Sequence, residues 1–176
     1  MAAKWYTLCS KPHKENVLWR QLQLEGYEVF FPRYLAQTSS LNTLKVKPFF
    51  PGYMFVKTDL SIVNISTFQW MPFSVGLVSF DNQPLNVPED LIQAIRKRLE
   101  KINAMTTQLL DSVERYDWVK SNASPFIGYE SVFDQASSGD TRVAELFRLL
   151  TDFTYQIGKV SLEQNNPDFV ARKGNQ

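Results

Sequence analysis

Cys9 and His13 are the first residues whose types and spacing suggest chemistry. A thiol four residues from an imidazole could act as nucleophile and base. His13 is the sole histidine, so any His-based catalytic centre must be built around it. The plainer reading, a buried strand cysteine beside a histidine in water, is preferred. No His, Cys or Asp cluster has metal-ligand spacing, and no glycine-rich phosphate loop occurs. The single cysteine excludes an internal disulfide and fits a reducing cytosol. Nucleophilic and metal chemistry therefore have little to work with, no cofactor is implied, and binding becomes the expected mode of action.

The strongest binding character lies in Lys47-Pro48-Phe49-Phe50-Pro51-Gly52-Tyr53-Met54-Phe55-Val56. Four aromatics, two prolines and a glycine fall in these ten residues, with no acid among them. Pro51-Gly52 punctuates the run. Tyr53 to Lys57 then alternates as a strand, with Tyr53 and Phe55 on one face and Met54 and Val56 on the other. Aromatic surface is expected near the start of that strand, as core or as a docking patch for another protein.

The chain has 176 residues, 44% apolar and 14% aromatic, ample for a core. Its net charge of +1 supplies no global field that would draw it to nucleic acid, so any such contact must be local. No apolar run approaches the ~18 residues of a membrane span, and Met1-Ala2-Ala3-Lys4-Trp5 leads into no signal-peptide core. A soluble cytoplasmic monomer is the expectation.

These regions must be positioned by a small set of elements. Lys4–Cys9 reads as a strand. Ser10 is expected to cap a following helix, with Pro12 in its first turn, Val17, Leu18, Leu22 and Leu24 facing inward, and Gly26 ending it. Glu28–Phe31 reads as a second strand, residues 36–46 as a polar hairpin tip, Ser61–Gln69 as a weak helix, Val75–Phe80 as a strand and Asp81-Asn82 as a turn. Pro88 opens the clearest helix, with Leu91, Ile92, Ile95, Leu99 and Ile102 at helical spacing. Arg96, Lys97, Arg98 and Lys101 are its solvated basic face. The order predicts an α+β fold, an antiparallel sheet sandwiched by helices, over residues 1–102, followed by a linker over 103–114.

A second block covers 115–164, with a tail over 165–176. Tyr116–Lys120 and Tyr129–Asp134 can be strands separated by turns at Pro125–Gly128 and Ser137–Asp140, which suggests a small β-barrel. Arg142–Ile157 disagrees. Val143, Leu146, Phe147, Leu150, Phe153 and Ile157 form one helical stripe, so the block is alternatively helical, and tertiary context must decide.

In order and spacing, the chain resembles the NusG/RfaH family of transcription elongation factors. The likeness rests on Trp5-Tyr6-x-Leu8, Lys11-Pro12-x-x-Glu15, Leu22, Gly26, Pro32, the Pro48–Val56 segment, Val75–Phe80, Pro84-x-x-Val87-Pro88 and the helix from Leu91. The second block resembles the family's KOW domain through Asp117-x-Val119, Pro125-Phe126-x-Gly128-Tyr129-Glu130-x-Val132-Phe133, Ser138-Gly139, Arg142-Val143 and Leu149-Leu150. Tyr116, Ser124 and Ser131 stand where glycine is usual, and Ser121 replaces a strand valine.

The resemblance implies a factor without catalytic chemistry. Its amino-terminal domain would bind the clamp helices of RNA polymerase's largest subunit, bridge the cleft to the opposite subunit's gate loop and suppress pausing. Specialised relatives read the non-template DNA strand and act on selected operons. The carboxyl-terminal domain recruits Rho, a ribosomal protein, or neither. In RfaH it can rest as a helical hairpin over the clamp-binding patch and refold to a barrel. The eroded KOW glycines and the helix-compatible segment favour a specialised antitermination factor over a general one coupled to Rho or the ribosome. A polymerase-independent nucleic-acid-binding module is the alternative outside the family.

By the same resemblance, Phe50, Pro51 and Tyr53 match the polymerase-contact patch, with Phe80, Ile95 and Leu99 as further lining. Replacing Phe50 or Tyr53 by alanine is expected to abolish polymerase binding with the fold intact. Asn64, Ile65, Ser66 and Thr67 match the segment that touches the opposite subunit. Lys11 matches a DNA-contacting lysine, with Arg20, Gln21, Gln69 and Trp70 as candidates for phosphate, base-edge and stacking contacts. Lys45 and Lys47 could approach upstream DNA, but a solvated loop is the better reading. Each of these residues also has an ordinary explanation as strand core or solvated surface.

Overall fold

The computed structural model describes residues 2–37, 44–111 and 138–165. Alternation along two central strands organises it. In β1 (Lys4–Ser10) and β5 (Tyr53–Thr58), which pair antiparallel, Tyr6 lies opposite Val56, Thr7 opposite Phe55 and Leu8 opposite Met54. Period-two geometry sends Trp5 and Phe55 to one face of the sheet and Tyr6, Leu8, Met54 and Val56 to the other. Both faces are covered, so both strands are buried almost throughout. β2 (Glu28–Phe30) flanks β5, while β6 (Ser74–Leu77) and β9 (Asn86–Val87) both pair with β1. Two hairpins extend from this sheet: β3 (Arg33–Gln37) with β4 (Leu44–Pro48), and β7 (Ser79–Phe80) with β8 (Gln83–Pro84). Asp81 and Asn82, with φ of 50° and 59°, make the two-residue turn between β7 and β8.

One face carries α1 (Glu15–Leu24) and α2 (Ile65–Trp70), whose Leu18, Leu22 and Phe68 join the Tyr6–Met54 cluster. The other face carries α3 (Glu89–Asp111) and α4 (Gly139–Asn165). The α+β sandwich expected from the sequence is the fold observed. Trp5 Nε1 donates to Glu89 Oε2 at 2.8 Å and fixes the start of α3 to β1. Lys57 Nζ lies 3.5 Å from the same carboxylate.

Several local expectations are corrected. Val17 and Leu24 are exposed. Leu18 and Leu22 already define the buried line of α1, and Val17 is rotated about 100° from it while Leu24 lies on the opposite side. Ser10 does not cap α1. It ends β1, its hydroxyl donates to the Lys11 carbonyl, and α1 begins only after Lys14. The expected single strand Val75–Phe80 is two, β6 and β7.

Helix α3 does not stop at Ile102 but continues through Asp111, into the stretch where a linker is expected. Asn103 Oδ1 accepts from the Leu35 amide at 2.8 Å, and the Thr106 hydroxyl donates to the Ile102 carbonyl and reaches the Leu35 carbonyl. Polar residues there attach the helix to the β3–β4 hairpin. The strands expected at Tyr116–Lys120 and Tyr129–Asp134 lie outside the described residues, as do residues 38–43 of the tip expected over 36–46, whose flanks 36–37 and 44–46 are strand.

The turn expected at Ser137–Asp140 is instead, in its described part, the start of α4. Ser138 Oγ accepts from the Thr141 amide at 3.1 Å, and the Arg142 amide donates to the Ser138 carbonyl. Ser138 is thus an N-cap, and the Val143–Leu150 stripe is helical.

Phe50 is fully buried, with edge-on contacts to Phe49 and Phe55 at centroid distances of 5.0 and 6.0 Å. Phe50→Ala is therefore expected to cost about 3–5 kcal/mol of stability, read from the urea midpoint, so the fold would not be left intact as the sequence suggested. Hydrogen bonds from Gln93 and Trp5, with Lys57 nearby, hold the Glu89 carboxyl below its ordinary 4.5. That contribution is whole at neutral pH and is lost as pH falls below 4.5 through the lowered value. Glu89→Gln is expected to flatten the acid limb of a stability-versus-pH curve below about pH 4.5.

Candidate helix-binding patch and nucleic-acid face

The turn before β5 sorts the aromatic segment into core and surface. The Phe49 amide donates to the Pro32 carbonyl, the Tyr53 amide to the Phe50 carbonyl, and the Ser10 amide to the Gly52 carbonyl. Gly52 has a φ of 81°, which a Pro-Gly corner supplies without strain. As a result Phe49 and Phe50 point inward, while Pro51 and Tyr53 stay half-exposed at the surface.

Helix α4 lies on that surface. The Tyr53 and Phe147 rings meet edge-on at 4.9 Å and 82°. Leu146 and Leu150 are buried in the same cluster as Phe50, Ile95 and Leu99, with Val143, Phe147 and Leu149 partly buried against it. At the start of α4, Gly139 sits so close to Pro51 that a Cβ there would be 2.6 Å from the proline Cγ.

Arg142 is 4% exposed, and its Nε donates to the Phe49 carbonyl at 3.0 Å. Its guanidinium carbon lies 4.6 Å from the centroid of Phe49 and 5.7 Å from that of Tyr34.

The structure thus gathers Phe50, Pro51, Tyr53, Ile95 and Leu99 in one region, with Pro51 and Tyr53 at its surface. Phe80 is not part of the buried cluster. It is 56% exposed on the β7–β8 hairpin, and Val78 is the residue of that stretch that packs against the cluster. Sequence reasoning missed Tyr34, the Phe49 carbonyl and Arg142 as a contact set. The available signal was an arginine one turn ahead of an apolar stripe.

Asn64, Ser66 and Thr67 stand at the start of α2. Asn64 Oδ1 accepts from the Ser66 amide and hydroxyl, so these two side chains form the helix cap, while Thr67 is exposed.

The candidate DNA contacts are spread over the loop before α1, α1 itself, α2 and β4. The Lys11 amide donates to the Phe73 carbonyl at 2.8 Å, which joins the loop before α1 to the loop after α2. Lys14 Nζ lies 5.7 Å from the centre of the Phe73 ring. Trp70, at the end of α2, is 82% exposed, and Gln69 beside it is exposed. Arg20 is exposed on α1, whereas Gln21 donates to Glu25 at 3.1 Å. Lys45 and Lys47 are exposed on β4.

Cys9 lies opposite Tyr53 in the sheet, and burial pushes its thiol up, with a hydrogen bond to Tyr53 acting in the other direction. A protonated thiol is a poor nucleophile. Burial likewise raises the Tyr53 phenol. His13 is exposed, with a φ of 59°. Among the described residues no group of His, Cys, Asp and Glu could hold a metal ion, and no helix is long and apolar enough to cross a membrane.

A family model described as "Transcription termination factor nusG" matches residues 3–96. The chain belongs to the NusG family. Among solved structures, a NusG chain from Thermotoga maritima, titled "Domain interaction in Thermotoga maritima NusG", is 19% identical. That match covers 72% of this chain and 67% of the other, with a TM-score of 0.39. No curated protein matches the chain. NusG-family membership makes it a transcription elongation and termination factor that works with RNA polymerase.

The NusG match ends at residue 96, inside α3, so α4 and its seat against Pro51 and Tyr53 lie beyond or across that boundary. At Gly139 that seat has no room for a side chain. Gly139→Ala is expected to push α4 off the patch. Hydrogen exchange would show amides 143–150 losing protection by tenfold or more, with β1 and β5 unchanged.

Proposed function

We propose that this NusG-family protein is a specialised elongation and antitermination factor that grips the clamp helices of RNA polymerase's largest subunit. The grip uses the patch around Pro51 and Tyr53, with Phe50, Ile95 and Leu99 supporting it from below. The observation that carries this reading is the edge-on packing of Phe147 on Tyr53. A surface that seats an amphipathic helix of its own chain has the shape and chemistry to seat another. Helix α4 then competes with polymerase for the patch, and the factor acts once α4 is displaced.

Other parts of the sandwich extend the grip. Asn64, Ser66 and Thr67 at the start of α2 would meet the gate loop of the opposite subunit, so that the protein bridges the cleft and suppresses pausing. Lys11 would hold a phosphate of the non-template strand. Trp70, almost wholly in water, offers a stacking face for an unpaired base, with Gln69, Arg20 and Gln21 as polar contacts. A general factor would keep its carboxyl-terminal domain free for Rho or a ribosomal protein. A helix held on the patch favours the operon-selective kind.

Phe147→Ala removes the ring that caps Tyr53. In the full-length protein it is expected to increase co-elution with RNA polymerase core. Adding Tyr53→Ala should abolish that co-elution while lowering stability by only about 1–2 kcal/mol, because the phenol is half-exposed. Undiminished co-elution of the double variant would refute the proposed grip.

A further inference from the structure

We infer that the patch recognises its helical partner through an arginine, and that Arg142 fills from within the chain a guanidinium slot that the partner's arginine fills when α4 leaves. The inference rests on the proposed function and adds the chemistry of the partner.

The slot belongs to the sheet domain. Phe49 is 1% exposed, its amide is fixed by Pro32, and its ring packs edge-on against Phe50 at 5.0 Å and Tyr34 at 6.0 Å. The two perpendicular rings and the Phe49 carbonyl are therefore held by contacts that α4 does not make. Arg142 matches them with one N–H on the carbonyl and its guanidinium within 6 Å of both ring centroids.

A helix that covered this surface without a donor would leave the Phe49 carbonyl buried and unmet, at roughly ten- to a hundredfold in affinity. An ammonium could reach the carbonyl but lacks the planar fork that also lies against the rings. Arginine meets both demands. The register of α4 then gives the rest of the pattern. Leu146 and Leu150, four and eight residues after the arginine, are buried, and Phe147, five after it, meets Tyr53. The partner is an α-helix with an arginine one turn ahead of two apolar residues spaced by four.

The test uses full-length protein carrying Phe147→Ala and, as a second host, Arg142→Ala, each loosening α4. The probes are three labelled peptides of residues 138–152: native, with Arg142→Lys, and with Arg142→Ala. Fluorescence anisotropy is expected to show the native peptide binding both hosts, with both substituted peptides at least tenfold weaker. In competition, the native peptide should displace the host from RNA polymerase core at about a tenth of the concentration the substituted ones require. Equal affinities, or no peptide binding to either host, would overturn the arginine slot. Hosts that bind polymerase while all peptides compete equally would overturn the slot but leave the polymerase grip standing. Arginine-dependent peptide binding by hosts that ignore polymerase would do the reverse.

Discussion

The seating of α4 on the aromatic turn before β5 is the contact on which the rest depends. A solitary helix is marginal in water, because nucleation is costly and packing of an apolar face supplies most helical stability in proteins. For α4 that packing comes from Leu146, Leu150 and Phe147 against Tyr53 and the cluster of Ile95 and Leu99. Each fully buried leucine contributes about 1.5–3 kcal/mol. The helix and its seat therefore sustain one another. Loss of the seat removes most of the reason for residues 139–150 to be helical, and loss of the helix returns an aromatic surface to solvent.

The two faces of the sheet differ in how firmly they are closed. On one, α1 and α2 cover Tyr6, Leu8, Met54 and Val56 with residues adjacent in the chain to β1 and β5. On the other, α3 is tied to β1 by Trp5–Glu89 and to the β3–β4 hairpin by Asn103. Helix α4 packs through its apolar stripe and the close approach of Gly139 to Pro51, and Arg142 anchors it to the Phe49 carbonyl. The division begins at Pro51-Gly52. A corner with a positive φ turns Phe50 into the core and leaves Tyr53, three residues later, on the surface. The same short segment supplies both the keystone of the interior and the face on which a helix rests.

Elements whose signal is local were legible in the sequence. The alternation in Tyr53–Lys57, the stop at Gly26, the turn at Asp81-Asn82 and the stripe of α3 depend on period and turn chemistry, and all are present. What failed depended on distant partners. Asn103 and Thr106 read as linker because their hydrogen bonds go to Leu35, far away in sequence. Arg142 drew no reading of its own, because nothing local reveals that a backbone carbonyl and two rings wait for it. The helix-or-strand conflict over Arg142–Ile157 was visible, and the packing on Tyr53 supplies the tertiary context that decides for helix in this structure.

Competition on a shared surface has a quantitative consequence for the proposed grip. If α4 is seated in 99 of 100 molecules, a partner helix binds about a hundredfold more weakly than to an open patch. About 2.7 kcal/mol of seating energy suffices for that ratio, a sum that one buried leucine and one charge-assisted hydrogen bond can supply. Such a clasp is strong enough to silence chance encounters and weak enough for a second contact to overcome. A DNA contact at Lys11 and Trp70 would tether the protein beside polymerase and raise the local concentration of the partner helix to the millimolar range. Selectivity would then follow from a weak inhibitory contact and a weak recruiting contact acting together, with neither needing high affinity of its own.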